Sequence, residues 1–172
     1  MRRICSKNRV SREEQAGSVI VELALMLPLI AIFVLGALDM GVIIREHQIL
    51  QNAAREGARF SAQPANNIDS TNPTATANSI RDKVINYLAQ ERITIAATNC
   101  AADVSIAKQW NCGAITIRQR HPIPTNVGGS TITDYGSSIS VTYNRSFLFS
   151  GGSLFQFNSV SLNGNSVFHN LY

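Results

Sequence analysis

The residues best placed to do chemistry lie at the two ends of one apolar stretch. Glu22 is the last charged residue before an uncharged run over residues 23–38; Asp39 interrupts, and residues 40–44 are apolar again. An ionised carboxylate inside a membrane helix costs about 2.5–3.5 kcal/mol on insertion scales, so a carboxylate at the lip of such a run is a functional candidate. Four residues before it stands Ser18, preceded by Gly17. Glycine has no side chain and can enter a narrow protease groove in extended form. Cleavage between Gly17 and Ser18 would leave a new α-amino group on Ser18, with a reference pKa of about 7.7–8.0, mostly protonated near neutral pH. On a helix Ser18 and Glu22 share a face, roughly 6 Å apart along the axis. Two opposite charges at an apolar boundary are each costly alone and less so together. The plain alternative is a glutamate that reaches back to the lipid headgroups.

Cysteine offers a second chemistry. Cys5 lies in the basic N-terminal segment, whereas Cys100 and Cys112 lie beyond the apolar run. If the two sides of the run face different compartments, Cys5 stays reduced and Cys100 with Cys112 can oxidise to a bridge; two free thiols are the alternative. His47, His121 and His169 are scattered without metal-ligand spacing, and neither exported cysteine has a histidine neighbour in sequence, so no metal site is expected. The chain contains no P-loop, no dinucleotide fingerprint and no Gly-x-Ser-x-Gly, and no cofactor is implied. The sequence reads as an enzyme's substrate rather than as an enzyme.

The elements that must position these residues follow from hydropathy and period. A helix over residues 23–44 is roughly 33 Å long, against a hydrocarbon core of about 30 Å, and it is apolar on every face. A secretory signal would be cut after its apolar run, but Gly36-Ala37-Leu38 makes a poor site and the helical pattern continues past it. Five basic residues precede the span and three, Arg45, Arg55 and Arg59, follow closely. That bias keeps the N-terminus cytoplasmic and exports the C-terminal part, as in a single-pass membrane protein. Pro28 removes one backbone hydrogen bond inside the span and kinks or loosens the turn around Ala24.

Past the span, apolar and small residues recur at Leu50, Ala54, Ala58 and Ala62 and at Ile49, Ala53, Gly57 and Phe60, which extends the helix to Pro64. This stripe either covers the chain's own sheet or contacts neighbouring helices. A loop is expected over residues 64–78. Ser79 and Asp82 look like a capping pair for an amphipathic helix over residues 79–91. Alternation predicts strands around Val104 and Ile106, Ile115 and Ile117, and Ile139, Val141 and Tyr143, with Trp110-Asn111-Cys112-Gly113 as a turn. Residues 122–136 read as loop. A last strand is expected from Phe157 towards Phe168, with Asn163-Gly164 as a bulge or turn. Helices first and strands afterwards give an α+β fold: a long N-terminal helix running into an exported domain with a second helix and a small antiparallel sheet. The expected organisation is a leader over residues 1–17, the span over 18–44, its exported continuation over 45–63 and the domain over 64–172.

The formal net charge of +4 is mostly a property of the leader, which holds five basic and two acidic residues; the remainder holds ten and nine. With the leader set aside no basic patch is apparent, and a nucleic-acid partner is not expected.

Glycine followed, with four residues between, by glutamate at the start of an apolar helix resembles the processing site of type IV prepilins. A longer stretch, Val21 to Leu29 with Glu22 inside it, then Asp39-Met40-Gly41, then Gln51-Asn52-Ala53-Ala54-Arg55-Glu56-Gly57-Ala58-Arg59, resembles the TadE-like pseudopilins of the tight-adherence (Flp) pilus machinery. The resemblance implies a minor pilin cut at Gly17–Ser18 by a prepilin peptidase, with other pilins, pseudopilins, an inner-membrane assembly platform and the lipid bilayer as partners. It also implies that Glu22 pairs with the N-terminal amine of a neighbouring subunit. The rival expectation is an uncleaved, single-pass anchored binding protein of the cell envelope.

Overall fold

A computed structural model describes residues 10–66, 72–127, 130–147 and 159–170. The chain falls into two units, Met1–Val42 and Ile43–Tyr172. One helix, α1 (Val10–Ser61), runs through both.

In the first unit α1 has no apolar cover of its own. Nearly every large apolar side chain between Val19 and Leu38 is exposed, Leu25 by 71% and Phe33 by 70%. No stripe is more polar than another, as the sequence of the span requires. The helix is assigned without a break through Pro28. Asp39, which interrupts the apolar run, is buried.

The second unit is a sheet covered on one face by two helices. α2 (Pro73–Gln90) is followed by β1 (Ala97–Ala102), β2 (Gln109–Gly113), β3 (Ile115–Val127), β4 (Ser130–Ser146) and β5 (Ser159–His169). The strands lie in chain order, each antiparallel to the next. The fold is therefore α+β, as expected. Leu50 of α1, Ile80, Val84 and Leu88 of α2, and Ile115, Ile117, Ile139 and Val141 of the sheet form a fully buried core. The small residues of α1 have a structural use here. A Cβ on Gly57 would lie 2.5 Å from Val84 Cγ2 and 2.9 Å from Ile139 Cδ1, so only glycine lets α1 come this close to α2 and β4. Ala53, Ala54 and Ala58 are likewise buried. The stripe read from the sequence covers the chain's own core.

Three local expectations are corrected. α2 begins at Pro73, not near Ser79: Asn72 caps it, its side chain accepting from Ala75 N, with Pro73 in the first helical position. Ser79 lies inside the helix and donates back to Ala75 O. The first strand is Ala97–Ala102 rather than Val104–Ile106; Val104 is fully exposed in the following turn. That turn is organised by Asp103, whose carboxylate accepts from Ser105 N, Ser105 Oγ, Ile106 N, Gln109 Nε2 and Asn111 Nδ2. Those donors, the Ser105 hydroxyl foremost, hold its pKa down at about 2. Trp110 and Cys112 belong to β2 and point inward, with the turn one step later at Gly113, whose φ is +72°.

Of residues 122–136, expected as loop, 122–127 and 130–136 form the distal part of β3 and the start of β4, in register from His121↔Gly136 to Val127↔Ser130, and 128–129 lie outside the described residues. Pro122 and Pro124 are tolerated because β2 pairs with β3 only as far as Arg118, so this half of β3 has a free edge. The last strand is present from Ser159; the expected start at Phe157 lies outside the described residues. Asn163 and Gly164 pair regularly with Thr142 and Val141 rather than forming a bulge.

Cys100 and Cys112 are disulfide-bonded across β1 and β2, on the buried face. α2 holds the β1 backbone at the same place: Asn78 Oδ1 accepts from Cys100 N at 2.9 Å and Arg81 donates to Thr98 O at 2.8 Å. The bridge closes a loop of about a dozen residues, for which chain entropy gives about 3 kcal/mol. Reduction should therefore lower the unfolding free energy of the outer unit by about that amount, read as a shift of the urea midpoint with and without reductant; an unchanged midpoint would contradict this.

Candidate functional site

The site residues read from the sequence divide into two sets, one on the apolar arm and one in the outer unit. Gly17 and Ser18 lie within α1, which already begins at Val10. This differs from a leader without secondary structure. The Gly17–Ser18 bond is helical here, so a protease acting on it would first have to unwind the turn around it, and glycine, with its high entropy in a helix, is the residue at which that is easiest. Glu22 follows one turn later, fully on the surface, with no basic partner among the described residues. Pro28 has no N–H to donate, which leaves the Ala24 carbonyl without its usual helical donor.

One turn past the span the pattern changes. Glu46 has the spacing of the buried stripe, four residues before Leu50, and is itself buried. It pairs with Arg145 at the end of β4, in a short charge-assisted contact; the two side chains are 12% and 20% exposed. Its other carboxylate oxygen, Oε2, is buried without a hydrogen-bond partner among the described residues. At the other end of the same stripe Gln119 of β3 is fully buried and its amide nitrogen donates to Ser61 O (2.9 Å), Ser61 Oγ (2.7 Å) and Asn66 O (2.8 Å). Lys83 of α2 adds an exposed contact to Glu56 at 3.6 Å and lies over the Phe60 ring. The outer half of α1 is thus fastened at both ends by polar contacts that its own sequence neighbourhood does not reveal. The sequence places Glu46 with Arg45 and Gln48 on the polar faces, and its burial corrects that, although its i, i+4 spacing to Leu50 was a signal; Arg145 and Gln119 carried none, since they sit in strands far along the chain.

Among the described residues no group of histidine, cysteine, aspartate and glutamate is placed to hold a metal ion. The one helix apolar and long enough to cross a membrane lies near the N-terminus, with a mean hydropathy of 2.7 over its most apolar window. In the first unit the apolar part of α1 is exposed with Glu22 close to its start, and in the second unit the helix is fastened to α2 and the sheet.

Residues 17–59 match the family model described as TadE-like protein, which bears out the resemblance read from the sequence over this stretch. The matched stretch lies within α1 and ends before α2 and the sheet. No curated protein and no solved structure matches the chain.

Proposed function

We propose, from the TadE-like segment over residues 17–59, that this chain is a minor pilin or pseudopilin of a tight-adherence (Flp) pilus, cut between Gly17 and Ser18 by a prepilin peptidase. The observation that carries the reading is the apolar half of α1, exposed on all sides with Glu22 close to its start. Before assembly this half spans the inner membrane, with the disulfide-bonded unit outside. On assembly it leaves lipid for the apolar flanks of neighbouring pilin helices, which replace one apolar surrounding by another.

Glu22 supplies what apolar packing lacks, a fixed register. Among the described residues its carboxylate has no partner, and the protonated amine that processing creates on Ser18 of a neighbouring subunit is opposite in charge and similar in depth. The inner-membrane platform and the other pilins are the partners in this reading, and the chain is a peptidase substrate rather than an enzyme. No nucleic acid is required at any step.

Glu22→Ala tests it. Membrane insertion should be kept or eased, because a charge is removed from the span. Incorporation into pili should fall about tenfold or more, the effect of losing one pairing worth about 1.4 kcal/mol. Sheared pili and membrane fractions probed for the chain would report both. Unchanged incorporation would favour the uncleaved, anchored binding protein of the envelope instead.

A further inference from the structure

We infer that the open edge of β5 docks an extended, acidic segment of a partner protein, which joins the sheet as a sixth strand and sets its carboxylates against Arg55 and Arg59 of α1. A meander in chain order has two edges, β1 and β5. Proteins blunt exposed edges with short strands, bulges, charged residues, proline or a cover. β1 is blunted: it has six residues and a register shift between Ala97 and Ala101. Two of its outward backbone groups are also taken by α2, since Arg81 donates to Thr98 O and Asn78 Oδ1 accepts from Cys100 N. β5 has none of these devices. It has eleven residues, pairs with β4 without a shift, and carries no charged residue or proline from Ser159 to Phe168.

The register decides which β5 groups are open. Asn170 N donates to Tyr135 O at 2.9 Å, and hydrogen-bonded pairs alternate along an antiparallel ladder. Counted back through the regular register, Phe168, Ser166, Gly164 and Leu162 bond to β4. On the other side of β4, Thr142 N donates to Ala114 O, so Thr142, the partner of Asn163, is turned towards β3 as that alternation requires. The N–H and C=O of Ser161, Asn163, Asn165 and Val167 therefore point away from the sheet. Among the described residues none of them has a backbone partner. Groups so spaced suit strand addition, in which main-chain bonds supply affinity and flanking side chains supply specificity.

The flank selects for charge. A groove of about 500 Å³ beside the C-terminal end of β5 is lined by Arg55 and Arg59, by Tyr87 of α2, and by the exposed apolar side chains of Val167 and Phe168. Arg55 and Arg59 lie one helical turn apart, exposed, with no ion pair or hydrogen bond from their side chains among the described residues. Glu56 lines the same groove but is already paired with Lys83 at 3.6 Å. A carboxylate-bearing strand completes this arrangement, and a second copy of the chain does not supply one. Across its five strands Asp134 is the only acidic residue, and it accepts from Tyr135 N at 2.8 Å and contacts His169 Nδ1 at 2.7 Å. The occupant is a different protein.

The test uses the full chain in maltoside micelles and a synthetic strand-length peptide alternating glutamate and threonine, with a lysine and threonine peptide as its counterpart. The acidic peptide should bind with a Kd below about 1 mM. By NMR it should slow amide exchange at Ser161, Asn163, Asn165 and Val167, while Leu162, Gly164 and Ser166, already bonded to β4, change least. Arg55→Glu with Arg59→Glu should weaken binding about tenfold or more. Asn165→Pro should do the same with little change in the urea midpoint, because it removes an outward N–H and no ladder bond. Should the proline variant not fold, the arginine variant, which leaves the strand untouched, decides. No added protection at the four amides, or equal binding of the lysine peptide, overturns the site. Self-association of the chain that Asn165→Pro abolishes would place a second copy on the edge and overturn the acidic partner. Because no pilus is involved, that failure leaves the assembly role standing.

Discussion

Arg145→Leu should destabilise the outer unit by about 3–5 kcal/mol, the effect of stranding one member of a mostly buried ion pair. The reason lies with what remains. Glu46 keeps its place on the buried stripe of α1, and one of its oxygens already lacks a hydrogen-bond partner among the described residues. Without the guanidinium neither oxygen is satisfied, and the carboxylate can be relieved only if the end of β4 separates from α1. Removing both charges is a different experiment. Glu46→Leu with Arg145→Leu takes away the stranded ion and should recover most of the loss, since a buried pair is seldom better than well-packed apolar residues. Urea unfolding of the two single variants and the double variant, followed by near-ultraviolet circular dichroism of Trp110, closes the cycle. A single variant as stable as the parent would show that water reaches Glu46 and that the contact is not a fastening.

Gly164→Val should cost about 3 kcal/mol or more for a different reason. A Cβ at this position would lie 2.5 Å from the Leu50 carbonyl carbon and oxygen and 2.9 Å from Gln51 N. The obstacle is helix backbone, which cannot turn aside as a side chain would. β5 would have to move away from α1, opening the core beside Leu50 and Leu162, both buried. Gly164 does not need an unusual φ; it needs the absence of a side chain. Amide hydrogen exchange should show the variant losing protection along β5 before β2 and β3. Equal protection throughout would mean that the strand and helix adjust without parting.

These two positions also show where sequence reading stops. The second half of α1 was legible because Leu50, Ala54, Ala58 and Ala62 repeat at helical spacing, as do Ile49, Ala53 and Gly57 beside them, and Glu46 falls four residues before Leu50. Period reports which face is covered and nothing about what covers it. Gly164 therefore read as a turn residue beside Asn163, although it is the point of closest approach between strand and helix. The start of α2 was missed because Asn72-Pro73 sits at the edge of a polar Asn, Thr and Ala stretch that resembles loop. Trp110 to Gly113 was read as a turn because of Asn111 and Gly113, whereas the buried Trp110 and Cys112 decide for a strand. The hairpin over residues 122–136 was hidden by Pro122 and Pro124, which a strand tolerates only at a free edge, a matter of pairing rather than of composition.

The apolar helix, by contrast, was legible, since a long uncharged run that is apolar on every face leaves nothing for the chain's own core to cover. The assembly reading rests on Glu22 meeting an amine that exists only after the leader is removed. The intact mass of the chain purified from pilus-bearing cells tests this most directly. A chain beginning at Ser18 is the predicted result. A chain that still begins at Met1 in assembled pili would contradict the account, because Glu22 would then have no new amine to meet.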